Sequence, residues 1–414
     1  MREHHPVFYG DNLRHLINKV PTRLTNIMVA FDAGSRVELL PANNGFVHGD
    51  GIAHMLEHCI FKGTSARSWQ DINREIGFMG GDVNAFTSHD LVAYYITVPY
   101  ENTEAAVDIL SDIVLNSVIP EDEFLKEVEV VKEEELSKFD DIGSFLWNSY
   151  SPIFFDNYIS RPVIGTQSSI DLFTRDEVFS FYNSYCGREH AVVSISGRES
   201  KRSMKKLLVK YFGPEKKSNI RSYSGGYPNY TQSKHVEISR KGIEHSYVWV
   251  GFPGIELNSE LSSASKIMNI IMGSGMDSRL FTEVREKRGL AYSVGSSLSQ
   301  WEYGSLNLIN ASTRLSNVDD MVGVILDEVE KIKSGDITDE ELQRAKNKMR
   351  SGFYHAGESS YAASHRAIRT AVFGDSSFDE LEESMNNVEI DDVLAAANII
   401  FDTSKKVTMI CNGE

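Results

Sequence analysis

ENTEAAVDILSDIVLNSVIPEDEFLKEVEVVKEEE, residues 101–135, reads as two amphipathic helices joined by a short turn, the second begun by acidic residues. A later stretch, LSNVDDMVGVILDEVEKIKSGDITDEELQRAKNKM (315–349), repeats the pattern in register. Ile119 aligns with Ile337, Pro120-Glu121 with Thr338-Asp339, and Phe124 with Leu342. Upstream of each pair lies an apolar run ending in a glycine turn, NIMVAFDAGSRVE (26–38) and SYVWVGFPGIEL (246–257), as buried strands have. The simplest account is a duplicated α+β unit. Between the copies, GPEKKSNIRSYSGGYPNYTQSK (213–234) lacks apolar periodicity and predicts a linker. The expected domains are therefore 1–212 and 235–414.

Composition sets bounds on both fold and function. The 414 residues are 41% hydrophobic and 24% charged, as in ordinary globular chains, and suffice for sizeable cores. A net charge of −17 lacks the basic footprint of a general nucleic-acid binder. It serves solubility first; at an acidic surface or chamber it would also gather basic peptides. The N-terminal residues lack the apolar core of a signal peptide, and no run reaches the ~18 apolar residues of a membrane helix. Three cysteines, Cys59, Cys186 and Cys411, form no disulfide framework. Together these point to a cytoplasmic location with no membrane or nucleic-acid partner.

GIAHMLEHCIFKGT (51–64) holds the strongest chemical signal. On a helix, His54 and His58 share a face one turn apart, as two ligands of a tetrahedral zinc would. Glu57 sits beside them without having to bind, where a general base belongs. Asp50, or Gly49 before it, is the expected helix cap. Cys59 lies about 100° round the helix from His58 and reads as a packed residue. In FLKEVEVVKEEELSKFDD (124–141), Phe124, Glu127, Val131 and Glu134 fall on one helical stripe. Carboxylates on a buried stripe need partners, and a metal is a good one. Glu134 is thus the expected third ligand and Glu127 a neighbour that could orient a histidine or hold a water. Periodicity alone leaves Glu133 and Glu135 open.

With these motifs the chain resembles the pitrilysin-type metallopeptidases, the inverzincins, and within them the processing-peptidase branch. The resemblance runs through AGSRVE (33–38), the His-x-x-Glu-His motif, GGDVNAFTSHD (80–90), RPVIGTQSSI (161–170), FYNSYCGREHAVVSISG (181–197) and GSGMDSRLFTEVREKRGLAYSV (273–294). It implies two homologous α/β-sandwich halves, each an antiparallel sheet with helices on one face, forming a clamshell. It implies Zn2+ held by His54, His58 and Glu134, and the spacing from His58 to Glu134 favours that glutamate over its neighbours. Asn84, Ala85 and Phe86 match the edge strand that pairs with substrate backbone. Arg285 and Tyr292 match a pair that reaches the substrate and the transition state. Ser144 and Asn148 stand where the mitochondrial enzyme has acidic residues, so an arginine preference is not implied. The second half has no zinc motif; Ala345 and Gly352 stand opposite Glu127 and Glu134.

The expectation is a zinc metalloendopeptidase of unfolded peptides, with Glu57 as base and no covalent intermediate. Because one chain carries both the zinc motif and the Arg/Tyr pair, a homodimer is expected. The rival is a non-catalytic, peptidase-like scaffold or binding subunit.

Overall fold

The computed structural model describes residues 14–40, 49–214, 226–230 and 232–413. Most of the expected linker, 215–225 and 231, lies outside the described residues.

Two five-stranded sheets organise the chain. The first comprises β1 (Arg14–Lys19), β2 (Leu24–Phe31), β3 (Asp82–Thr87), β4 (Val92–Pro99) and β5 (Ala191–Gly197), in the order β1-β5-β2-β4-β3. The second comprises β6 (Lys234–Arg240), β7 (Ser246–Pro253), β8 (Ala291–Trp301), β9 (Gly304–Thr313) and β10 (Val407–Gly413), in the order β6-β10-β7-β9-β8. The two orders are identical strand for strand, which bears out the duplication. Three ladders of each sheet are antiparallel, as expected; β1 with β5 and β6 with β10 run parallel.

The repeated helical pair is equally clear. Thr103–Asn116 and Glu121–Asp140 in the first half correspond to Val318–Lys333 and Asp339–Gly357 in the second. Their buried stripes coincide: Phe124, Glu127 and Val131 against Leu342, Ala345 and Met349. One stripe carries a carboxylate where the other carries a methyl group. Each sheet packs with its helices into its own apolar core.

The chain divides into two compact units, but not at a single point. Leu146–Ser160, from before the expected linker, belongs by packing to the second unit, and Tyr354–Ser377 belongs to the first. In the first unit, the helix Ser360–Phe373 packs across β1, β2 and β5, where the Ser364 hydroxyl meets that of Ser196 at 2.8 Å. In the second, Tyr150 donates to the carbonyl of Val407 at 3.2 Å and its ring meets Trp249 edge-on. Gly251 makes room: a Cβ there would lie 1.9 Å from the Tyr150 hydroxyl oxygen. Each sheet thus keeps its own helices on one face, and a helix from the other half of the sequence covers the opposite face. That explains why β2 and β5 are almost wholly buried rather than alternating.

Candidate metal centre

Both histidines come from the eight-residue helix Ile52–Cys59, hereafter the histidine helix. Neither Asp50 nor Gly49 caps it, contrary to expectation. The N-cap is Gly51, left-handed at φ 95°, and Asp50 is instead paired with Arg161. The cap comes from Glu38, whose carboxylate accepts the N–H groups of Gly51 and Ala53 at 3.1 Å.

The third group comes from Glu121–Asp140, the glutamate helix. Glu134 Oε2 lies 3.2 Å from His58 Nε2 and 3.8 Å from His54 Nε2. Two bonds of 2.0–2.1 Å at the tetrahedral angle place their donors about 3.3 Å apart, so these separations suit zinc. All three ligand atoms lie within 4.8 Å of one another, and among the described residues no other trio of His, Cys, Asp or Glu gathers this way. Of the neighbours that periodicity left open, Glu133 is exposed and Glu135 accepts a hydrogen bond from Gln167.

The surrounding charges hold these side chains in place. Glu127 Oε2 meets His58 Nδ1 at 3.2 Å, which leaves Nε2 toward Glu134. The other oxygen of each glutamate is taken by a lysine: Lys62 on Glu127 at 2.6 Å, Lys138 on Glu134 at 2.7 Å. His54 is 7% exposed, and its Nδ1 is buried without a hydrogen-bond partner. Burial, seconded by His58, pushes His54 down to about 4. Burial would also lower His58, but its bonds to Glu127 and Glu134 outweigh that and lift it to about 9. The His58 bond draws Glu134 down to about 2. The trio offers two ring nitrogens and one carboxylate, already converging, and a metal bound there would displace the proton that Glu127 and Glu134 hold on His58.

Glu57 stands beside this group and outside it. Burial raises its carboxyl above the usual range, and the hydroxyl of Thr87 donates to it. Thr87 was not foreseen, although it ends the expected edge strand and shares a face with Val83 and Ala85 by simple alternation. Lys62, Lys138 and Glu38 were likewise unassigned. Cys59 is buried, its thiol pushed up to about 12 by burial, as suits a packed residue.

Asn84, Ala85 and Phe86 lie on β3, which among the described residues pairs only with β4, at the edge of its sheet. Phe86 points to the opposite face from Thr87 and meets the ring of His365 at 5.7 Å. Arg285 and Tyr292 lie in the second unit and contact each other. The Arg285 guanidinium lies 4.9 Å from the Tyr292 ring and donates to the Tyr292 carbonyl at 3.1 Å. Tyr292 occupies a bulge in β8, which turns its ring outward to 80% exposure.

The family described as Insulinase (Peptidase family M16) matches residues 15–158, and Peptidase M16 inactive domain matches 172–349. An uncharacterized zinc protease of Rickettsia bellii is 32% identical over 368 residues, 87% of each chain. An uncharacterized zinc protease of Bacillus subtilis is 29% identical over 97% of this chain and 96% of its own. Among solved structures, a protease from Helicobacter pylori superposes with a TM-score of 0.88 at 23% identity, covering 97% of both chains. A peptidase M16 inactive domain from Pseudomonas fluorescens gives 0.86 at 17%, covering 97% and 95%. Identity sustained over most of the length, on a fold of the same kind, makes this chain a member of the pitrilysin-type peptidase family M16.

Proposed function

We propose that the chain is a zinc metalloendopeptidase acting on extended peptides. The observation that carries this reading is the convergence of His54, His58 and Glu134, with the Glu57 carboxylate beside them but not among them. Bound there, zinc would supply a Lewis acid that polarises the scissile carbonyl and acidifies a water. His54, His58 and Glu134 would hold the metal, with Glu127 orienting His58. Glu57 takes the proton of the attacking water and later gives it to the leaving amine. Thr87 keeps the Glu57 carboxylate turned toward its task. The edge strand β3, through Asn84, Ala85 and Phe86, pairs with the peptide backbone, which admits varied sequences. Arg285 and Tyr292 are assigned to peptide binding and to the oxyanion.

The match to an inactive domain falls mainly on the half where Ala345 and Gly352 replace the two carboxylates, so it does not weaken the reading of the first half. Three free cysteines accord with a reducing, cytoplasmic setting. Among the described residues no helix is long and apolar enough to cross a membrane. The test measures zinc content and quenched-peptide hydrolysis on the same sample. One zinc per chain with chelator-sensitive cleavage supports the proposal; a zinc-loaded chain inert toward every peptide favours the scaffold reading.

A further inference from the structure

The histidine helix is only eight residues long, yet it carries two of the proposed ligands and the proposed base. A helix this short has little internal stability, so its orientation depends on what holds its ends. Its first N–H groups find no capping side chain within the helix or just before it. They find Glu38, 1% exposed, whose Oε1 accepts from Gly51 and Ala53 and whose Oε2 also accepts from Gly51, all at 3.1 Å. A buried carboxylate is costly, and the helix N–H groups offset that cost only in part, so burial still raises the Glu38 carboxyl while its oxygens serve as acceptors for the helix start.

Glu38 is itself rigidly held. Its turn, Ser35–Leu39, is tied to the loop after β3: Ser35 N–H to the Ser88 carbonyl at 3.1 Å and Arg36 N–H to that of His89 at 3.0 Å. The Ser35 hydroxyl and His89 Nδ1 lie 2.9 Å apart. Gly34 lies so close that a Cβ there would fall 2.5 Å from two carbonyl oxygens of that loop. This loop begins directly after Thr87, the residue that donates to Glu57. The helix start is also braced from the other side. Ser169 donates to the Asp50 carbonyl at 2.7 Å, and a Cβ on Gly51 would lie 2.4 Å from the Ile164 carbonyl oxygen. One turn therefore grips both the N-terminus of the histidine helix and the strand end that steadies Glu57.

We propose that Glu38 is a positioning residue of the metal centre: by capping the histidine helix it sets the rotation at which His54 and His58 face Glu134 and Glu57 faces Thr87. This rests on the zinc reading above, and it gives a task to AGSRVE, a motif with no chemistry of its own. A role confined to stability would lower the melting temperature and leave the geometry of the folded site alone.

The experiment compares the wild type with Glu38→Ala, Glu38→Gln and, as a control, Glu199→Ala, which removes a partly buried carboxylate bonded to Thr25 and Thr103. The readouts are zinc Kd by chelator competition and the visible spectrum of the cobalt-substituted protein. Glu38→Ala should weaken zinc binding by about tenfold or more, within the range for groups that orient metal ligands, and alter the cobalt bands. Glu38→Gln, which keeps an acceptor oxygen, should restore most of the affinity, and the control should change neither readout. A folded Glu38→Ala protein with wild-type Kd and spectrum overturns the inference. If Glu38→Ala does not fold, Glu38→Asp carries the test, its carboxylate being one methylene short; wild-type values in that variant overturn it equally. A wild-type protein that takes up neither metal refutes the zinc reading itself and leaves this inference without its ground.

Discussion

Glu134 is one of three consecutive glutamates, and only its side chain reaches the histidines. Glu134→Gln should therefore strip most of the zinc, while Glu133→Gln and Glu135→Gln keep it. Metal analysis of the three purified variants decides this, and equal loss at Glu133 would put the ligand in the wrong register. Glu38 makes a different prediction. Burial raises its carboxyl from 4.5 to about 8. Between those values the folded protein keeps a proton that the unfolded chain releases. The group's stabilisation is thus full below pH 4.5 and falls as pH rises toward 8. Glu38→Gln removes that fall. Measured with zinc chelated, its melting temperature relative to wild type should climb by a few degrees from pH 5 to pH 8, at about 2–4 °C per kcal/mol relieved. A difference that stays flat with pH contradicts this. The contrast between these two glutamates shows what local sequence carries. Glu134 was readable because its helical phase places it on a buried stripe with Phe124 and Val131. Glu38 was not, because it caps a helix from a separate segment, and no local pattern records such a reach. Asp50 looked like the cap because it sits in the right place along the chain, but the left-handed turn at Gly51 and the pairing with Arg161 take it away.

Strands and helices followed their patterns, and their partners were harder to read. The apolar runs around Ile27–Phe31 and Val248–Phe252 became the central strands β2 and β7. The helical pairs formed where their periodicity placed them. Hydrophobic periodicity shows that a helix buries a face, but not against which sheet. Tyr150 and Ser364 therefore gave no hint that their helices pack on the sheet built from the other half. The edge strand β3 was placed by resemblance, and its open side is the basis of a functional prediction. A peptide bound there must be extended and must offer its backbone N–H groups. Methylating a single backbone nitrogen near the cut of a good substrate should lower kcat/KM at least about tenfold at alternate positions, the loss of a hydrogen bond to a site left unpaired. The same peptide held in a stable folded domain should resist cleavage. Equal rates for methylated and parent peptides at every position would remove β3 from substrate binding.

The duplicated architecture equips its two copies of one unit with different residues. The first copy gathers two histidines and two carboxylates; the second has Ala345 and Gly352 at the matching positions and carries Arg285 and Tyr292, which we propose for substrate binding. One chain thus encodes both parts, and we expect it to act as a homodimer. Tyr292→Phe should leave zinc content unchanged and slow turnover, by as much as the 2.7–4 kcal/mol known for an oxyanion donor. Mixing this variant with Glu57→Gln tests where the parts meet. Recovered activity means that sites are completed across chains, no recovery that they are completed within one, and a fully active monomer by light scattering removes the dimer altogether.

The proposed hydrolysis depends on Glu57 acting as a base beside a metal that it does not hold. The most direct measurement is therefore zinc stoichiometry and peptide turnover of Glu57→Gln, made together on one preparation. The expected result is wild-type zinc content with hydrolysis reduced by about 10²–10⁴-fold, the usual contribution of a positioned general base. A zinc-loaded Glu57→Gln protein that cleaves peptide at the wild-type rate would contradict it.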